Sequence, residues 1–347
     1  MQQRFFDELG FSNQQIEAIQ QSEQQFGRNE YQNKLVQDLT SAITERNVKA
    51  VGTILFDGMQ TYGPLHPLYL IQSCYERVCT LYEELSIDNA IRIATLQDIM
   101  LWSQAFADSH GQETGLSQVF WIARHLCARI LRLGRLQFEP TILKAPFRIY
   151  RQKKTGVLIT IAESNLACDQ EGYLSDREKA AFVTTLQEEA SVLTAHTVDG
   201  QSGSIAEKPL PFETTSLSLL ADSQTEVLHM HIPSGEKLTK EVVDDSLLQA
   251  KTFFPTHSLA FCTSWLLDPA LKQVAEPSSN IVCFMQRFSK FPVSFQTPQI
   301  FERVFGFTAT EQDIPTWKAT TSLQRSVQTA LSLGVVFRTM GGYLLLS

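Results

Sequence analysis

Hydrophobic periodicity changes abruptly in this chain near Gly134. From Ser12 to Arg132 apolar residues recur every three or four positions, and Gly and Pro fall only at breaks, the pattern of amphipathic helices. Beyond Gly134 come short runs rich in β-formers, among them LQFEP, PFRIY and VLITIAES. A chain that separates the two periods this way is expected to be α/β (α+β), with a helical bundle over 1–134 and a mixed-sheet domain over 135–347. The 347 residues suit two domains at roughly 150 residues each.

Within the first part, Ser12 and Gln15 have the form of a capping box ahead of IEAIQQSEQQF, and Leu35, Leu39 and Ile43 continue an apolar stripe. TYGPLHP separates further helices. Asp88 caps NAIRIATLQDIMLWSQAFAD, which Gly111 and Gly115 break, and LSQVFWIARHLCARILRL reads as a helix closed by Gly134. In the second part PFRIY and VLITIAES flank a KKTG turn. Ser175 and Glu178 read as another capping box, opening REKAAFVTTLQEEASVL as a helix, and TVDGQSGSIAEKPLPFE reads as a surface loop or mobile flap. A strand over 227–232, the turn PSGEKL, the helix TKEVVDDSLLQAKTFF and a strand over 258–267 make a βαβ unit. Asp268 then caps DPALKQVA, and NIVCFMQRF (280–288) reads as a strand. Helices at PQIFERVFG and TSLQRSVQTALSL, the latter with Thr321 and Gln324 as capping partners, precede a closing hairpin in GVVFRTMGGYLLL.

Composition narrows the function. The net charge of −8, with no Lys/Arg-rich stripe, argues against nucleic acid and against an anionic membrane surface as partners. Six cysteines without regular spacing read as reduced thiols, and the absence of a secretory run or of ~18 consecutive apolar residues points to the cytoplasm.

Three groups of residues could carry chemistry. On a strand His229 and His231 share one face, about 6 to 7 Å apart at roughly 3.3 Å per residue, and an imidazole can serve as general base near neutral pH. The alternative is a pair of hydrogen-bonded structural histidines. Cys262 and Ser264 share a face of the next strand, where a neighbouring histidine could activate either as nucleophile. A metal site of His229, His231 and Cys262 lacks a further ligand at recognisable spacing, so no metal is expected. The turn holding Ser234, Gly235, Lys237, Leu238 and Thr239 leads into a helix N-terminus and could cradle an anion; any capped βα loop would look similar.

The words LHMHIPSGEKLT, CTSWLLDPALKQV and SNIVCFMQRF, in that order, resemble the GNAT-like C-terminal domain of bacterial acyltransferases that carry a helical N-terminal domain before it. The resemblance covers nearly the whole chain. It implies an acyl-CoA or acetyl-CoA co-substrate with its pantetheine arm between the strands 227–232 and 258–267, and with its pyrophosphate on the turn of Ser234, Gly235, Lys237, Leu238 and Thr239. It further implies a small-molecule acyl acceptor, an amine or similar nucleophile, with His229 or His231 as base. Two departures stand out. The superfamily's turn carries Gln or Arg, two residues, Gly, one residue, then Gly or Ala, whereas this turn has Gly235 alone, and DPALKQVA contains no tyrosine to act as general acid. A GNAT-shaped binding or regulatory protein without CoA chemistry is therefore the alternative, and a hydrolase using Cys262 or Ser264 a third. The sequence leaves the oligomeric state open.

Overall fold

In the computed structural model, residues 2–27, 29–294, 297–306 and 309–346 are described. They fall into two compact units, one of residues 1–139 with 232–235, the other of 140–231 with 236–347.

The first unit is helical: α1 (Gln2–Leu9), α2 (Asn13–Phe26), α3 (Glu30–Thr44), α4 (Val48–Tyr62), α5 (His66–Glu84), α6 (Asn89–Leu96), α7 (Asp98–Ser109) and α8 (Val119–Leu126). The Ser12/Gln15 capping box forms as the sequence predicts, and Asp88 caps α6 by accepting the Ala90 amide. Buried residues occupy most positions of α5 up to Tyr82, so this helix is the centre about which the others pack. Phe5 meets Phe6 and Tyr75 edge to face, with ring centroids 5.3 and 5.2 Å apart. Beside them the Arg92 guanidinium, 1% exposed, takes both oxygens of Glu8 at 2.7 Å, and Tyr75 donates to the same carboxylate at 2.6 Å. A buried ion pair in this form is stabilising only because its lone pairs are filled, as they are here.

The helix expected to reach Gly134 instead ends at Leu126. Leu131, Arg132 and Leu133 form β1 (Leu131–Leu133), antiparallel to β2 (Leu136–Ile142), and Gly134 takes φ +65° in the turn between them. Leu-Arg-Leu alternates with period two and Gly134-Arg135 then makes a two-residue turn, so a strand-turn-strand pattern prevails over the helical reading.

The second unit opens with β3 (Phe147–Gln152) and β4 (Leu158–Ala162), antiparallel across the KKTG turn as expected. After β5 (Ala167–Cys168), the region predicted as a helix from Arg177 makes a single 3-10 turn over Arg177–Lys179 and then short strands: β6 (Phe182–Val183), β7 (Leu186–Glu189) and β8 (Val192–Ala195). β7 and β8 form a hairpin with Ala190 at φ +53°. The expected flap is structured as well. It contains β9 (Thr197–Val198), a turn in which Gly203 N–H donates to Asp199 at 2.7 Å, the buried Ile205, and β10 (Leu210–Glu213).

Then follow β11 (Leu217–Ala221), β12 (Glu226–His231), α9 (Lys240–Phe253) and β13 (Leu259–Ser264), the predicted strand-helix-strand, with β12 parallel to β13. Asp268 accepts the Ala270 amide as the sequence predicts. The segment expected as a strand over 280–288 is instead α10 (Asn280–Met285), capped by the Ser279 hydroxyl, and the strand comes after it as β14 (Ser289–Pro292). α11 (Gln299–Phe305) and α12 (Ser322–Ser332) follow, the latter with the Thr321/Gln324 capping box in place. The closing hairpin is replaced by one strand, β15 (Met340–Leu345), bonded antiparallel to β13 on one side and β14 on the other. Gly341 permits this, since a Cβ there would lie 2.0 Å from the Phe291 ring.

The core of this unit lies between that sheet and the antiparallel sheet β11-β3-β4-β9, where Val227, Phe261, Phe291 and Tyr343 meet Phe147, Ile149 and Ala162. Among the described residues, no helix is long and apolar enough to cross a membrane.

Candidate active site

The order β12-β13-β15-β14 determines which side chains can meet. Residues in register face the same side, so His229, Phe261, Tyr343 and Ser289 make one row across four strands. His229 stacks on Phe261, and His231, two residues on, brings its ring centroid to 4.0 Å from that of His229. Both imidazoles are half-buried. The leaning together of the rings, closer than backbone spacing alone implies, makes the pair one feature.

The same register removes the covalent alternative. Cys262 follows Phe261 and therefore lies on the opposite face from the histidines, fully buried, where burial pushes its thiol up to about 12. A thiol so held is the reverse of an activated nucleophile. The Ser264 hydroxyl accepts the Leu266 amide at 3.1 Å, capping the turn after β13. Neither residue joins the histidines, as nucleophile or as metal ligand.

β12 and β13 run beside each other only briefly. Their parallel ladder has two residue pairs, Leu228 with Ala260 and His229 with Phe261. Both strands continue past it, to His231 and Ser264, and β13 there keeps its pairing with β15 alone in this unit. The ladder thus lapses at the carboxyl ends of the strands, which is where ligands enter open sheets with helical crossovers.

The turn after β12 is exposed at Ser234, Gly235, Glu236 and Lys237, with Leu238 and Thr239 half-buried. Gly235 has φ +135°, a region that favours glycine. Thr239 stands at the N-cap of α9, but its side chain accepts no amide of the first turn. The Glu241 carboxylate is drawn below its ordinary range by its own backbone N–H and then by the Thr239 hydroxyl. The helix start therefore already carries a carboxylate, and cationic charge for an anion has to come from side chains.

Two arginines absent from the sequence-based set belong here. Arg135, 8% exposed, donates from Nη1 to the Pro233 carbonyl at 2.7 Å, and a Cβ on Gly235 would lie 3.9 Å from Arg132 Nη2. The signal for them was the strand alternation around Gly134, hidden while that stretch reads as helix. The one tyrosine in the histidine row, Tyr343, has its hydroxyl 2.8 Å from Thr160 Oγ1, and burial raises its pKa. It is occupied in the core.

Comparison with known proteins agrees with this architecture. The model of the GNAT-like C-terminal domain matches residues 130–344, and that of the N-acyltransferase N-terminal domain matches residues 2–128. A comparison with curated proteins finds no match. Among solved structures, an acyltransferase mutant in complex with octanoyl-CoA superposes with a TM-score of 0.64 at 16% identity, over 99% of this chain and 87% of that one. An acyltransferase in complex with CoA and 10C-teicoplanin gives 0.64 at 17% over the same shares. An acyltransferase in complex with decanoyl-CoA gives 0.60 at 17%, over 99% and 86%. These identities speak for the fold, and it is the domain model spanning most of the chain that places this protein in the family of the GNAT-like C-terminal domain, preceded by an N-acyltransferase N-terminal domain.

Proposed function

We propose that the protein transfers an acyl group from acyl-CoA to an amine, or a similar nucleophile, of a small-molecule acceptor. In this reading residues 1–134 form a helical domain and residues 135–347 the acyl-transfer domain. The observation that carries the proposal is the short ladder between β12 and β13. Where two parallel strands stop pairing, the amides of a pantetheine arm can add to the free strand edge as an extended peptide does. The turn of Ser234, Gly235, Lys237, Leu238 and Thr239 then receives the pyrophosphate. That the similar folds include acyltransferases holding octanoyl-CoA or decanoyl-CoA supports this donor class, and their complexes with teicoplanin support a small-molecule acceptor.

In the reaction the acceptor amine attacks the thioester carbonyl carbon. A C–N bond forms, the C–S bond breaks, and the CoA sulfur leaves and takes up a proton. The proton lost from the amine passes to His229 or His231, directly or through water. The test is thiol release from octanoyl-CoA across a panel of primary amines, with the acylated product identified by mass. Amine-dependent release is the expected result. CoA binding without release in any amine would favour a GNAT-shaped binding protein instead.

A further inference from the structure

Arg132 is held by its backbone amide and by its side-chain Nε. Its amide donates to the buried Thr95 hydroxyl at 2.9 Å, its Nε donates to the Gly134 carbonyl at 3.3 Å, and its strand neighbours Leu131 and Leu133 are buried. Among the described residues its two Nη groups make no hydrogen bond, and one of them lies alongside the exposed Gly235 turn. The turn itself is fixed from the same hairpin, by Arg135 on the Pro233 carbonyl. A glycine whose missing side chain leaves room beside that guanidinium, a turn held by a hydrogen bond from Arg135 and a half-buried guanidinium with idle donors make an anion-binding arrangement of fork geometry.

We propose that Arg132 is a phosphate ligand of the donor site, its guanidinium taking the pyrophosphate of CoA beside the Gly235 turn. This rests on the acyl-CoA reading above and adds to it a residue from outside the turn and its helix. The turn has one glycine where the superfamily has two small residues, and Glu241 stands at the start of α9. Arg132, on the β1–β2 hairpin beside Gly235, provides cationic charge for a phosphate at that glycine.

The test is calorimetric binding of CoA, 3′-dephospho-CoA and pantetheine to the full chain and to its Arg132→Ala and Arg132→Lys variants, with thermal melts as a check on folding. Arg132→Ala should weaken CoA and dephospho-CoA equally, by about tenfold or more, and leave pantetheine unchanged, with Arg132→Lys in between. A penalty that disappears on removing the 3′-phosphate would overturn the assignment to the pyrophosphate. So would full affinity in Arg132→Ala when the wild type binds CoA, and in that case the acyl-CoA reading stands. A wild type that binds none of the three overturns that reading and the role of Arg132 with it.

Discussion

The His229 ring lies flat on Phe261, centroids 4.3 Å apart and planes 14° from parallel, at the last residue pair that β12 and β13 share. One imidazole is thus fixed by a core side chain at the point where the ladder ends. An imidazole positioned this way, if it serves as the proposed base, needs no reorganisation before it meets a proton.

Replacing His229 or His231 by alanine should lower kcat for acyl transfer by about 10²-fold in the variant that removes the base, with donor affinity nearly unchanged. Steady-state kinetics beside calorimetric CoA binding separates the two effects. Equal losses of binding and of thermal stability in both variants would indicate a structural pair.

Phe261 serves the fold as well as the ring. It is 3% exposed within the core between the two sheets, so Phe261→Ala should cost about 3–5 kcal/mol in urea unfolding through the cavity it leaves. A cost below about 1 kcal/mol would contradict the packing described.

Cys262 should be inert. With its thiol pushed up to about 12 by burial, it should resist iodoacetamide at pH 8, and Cys262→Ala should keep wild-type turnover. Mass mapping of the alkylated protein checks the first expectation, and loss of activity in the variant would restore the covalent route.

Acid should unfold the helical unit through Glu8. Burial alone would raise its pKa, but hydrogen bonds from Arg92, Tyr75 and Arg4 prevail and bring it down to about 2, from 4.5. A depressed carboxylate contributes stability that is complete above 4.5 and is lost as pH falls toward 2. Far-UV melts from pH 6 to 2 should show that decline, and Glu8→Gln should be less stable at pH 6 with a flatter acid limb. A variant whose pH profile parallels the wild type would contradict the assignment.

The parts legible in the sequence share a local cause. The capping boxes at Ser12/Gln15 and Thr321/Gln324 join residues three apart, and β12, α9 and β13 follow one another with uninterrupted periodicity. The misread parts carry local signals that fit more than one element. Ser175 and Glu178 match a capping box, yet the β-branched residues after them pair as strands, and the apolar run 280–288 fits a helix turn or a strand until Ser279 caps it. In the candidate site, His229, His231 and the turn are neighbours in sequence and could be found together. Arg135 is 98 residues from the carbonyl it holds, and nothing local marks that distance.

The most direct measurement is calorimetric titration of CoA, acetyl-CoA, octanoyl-CoA and decanoyl-CoA into the purified protein and its Lys237→Ala variant. The account predicts saturable binding at one site, weakened when the exposed Lys237 of the turn is replaced. Absence of binding across the whole series would contradict it.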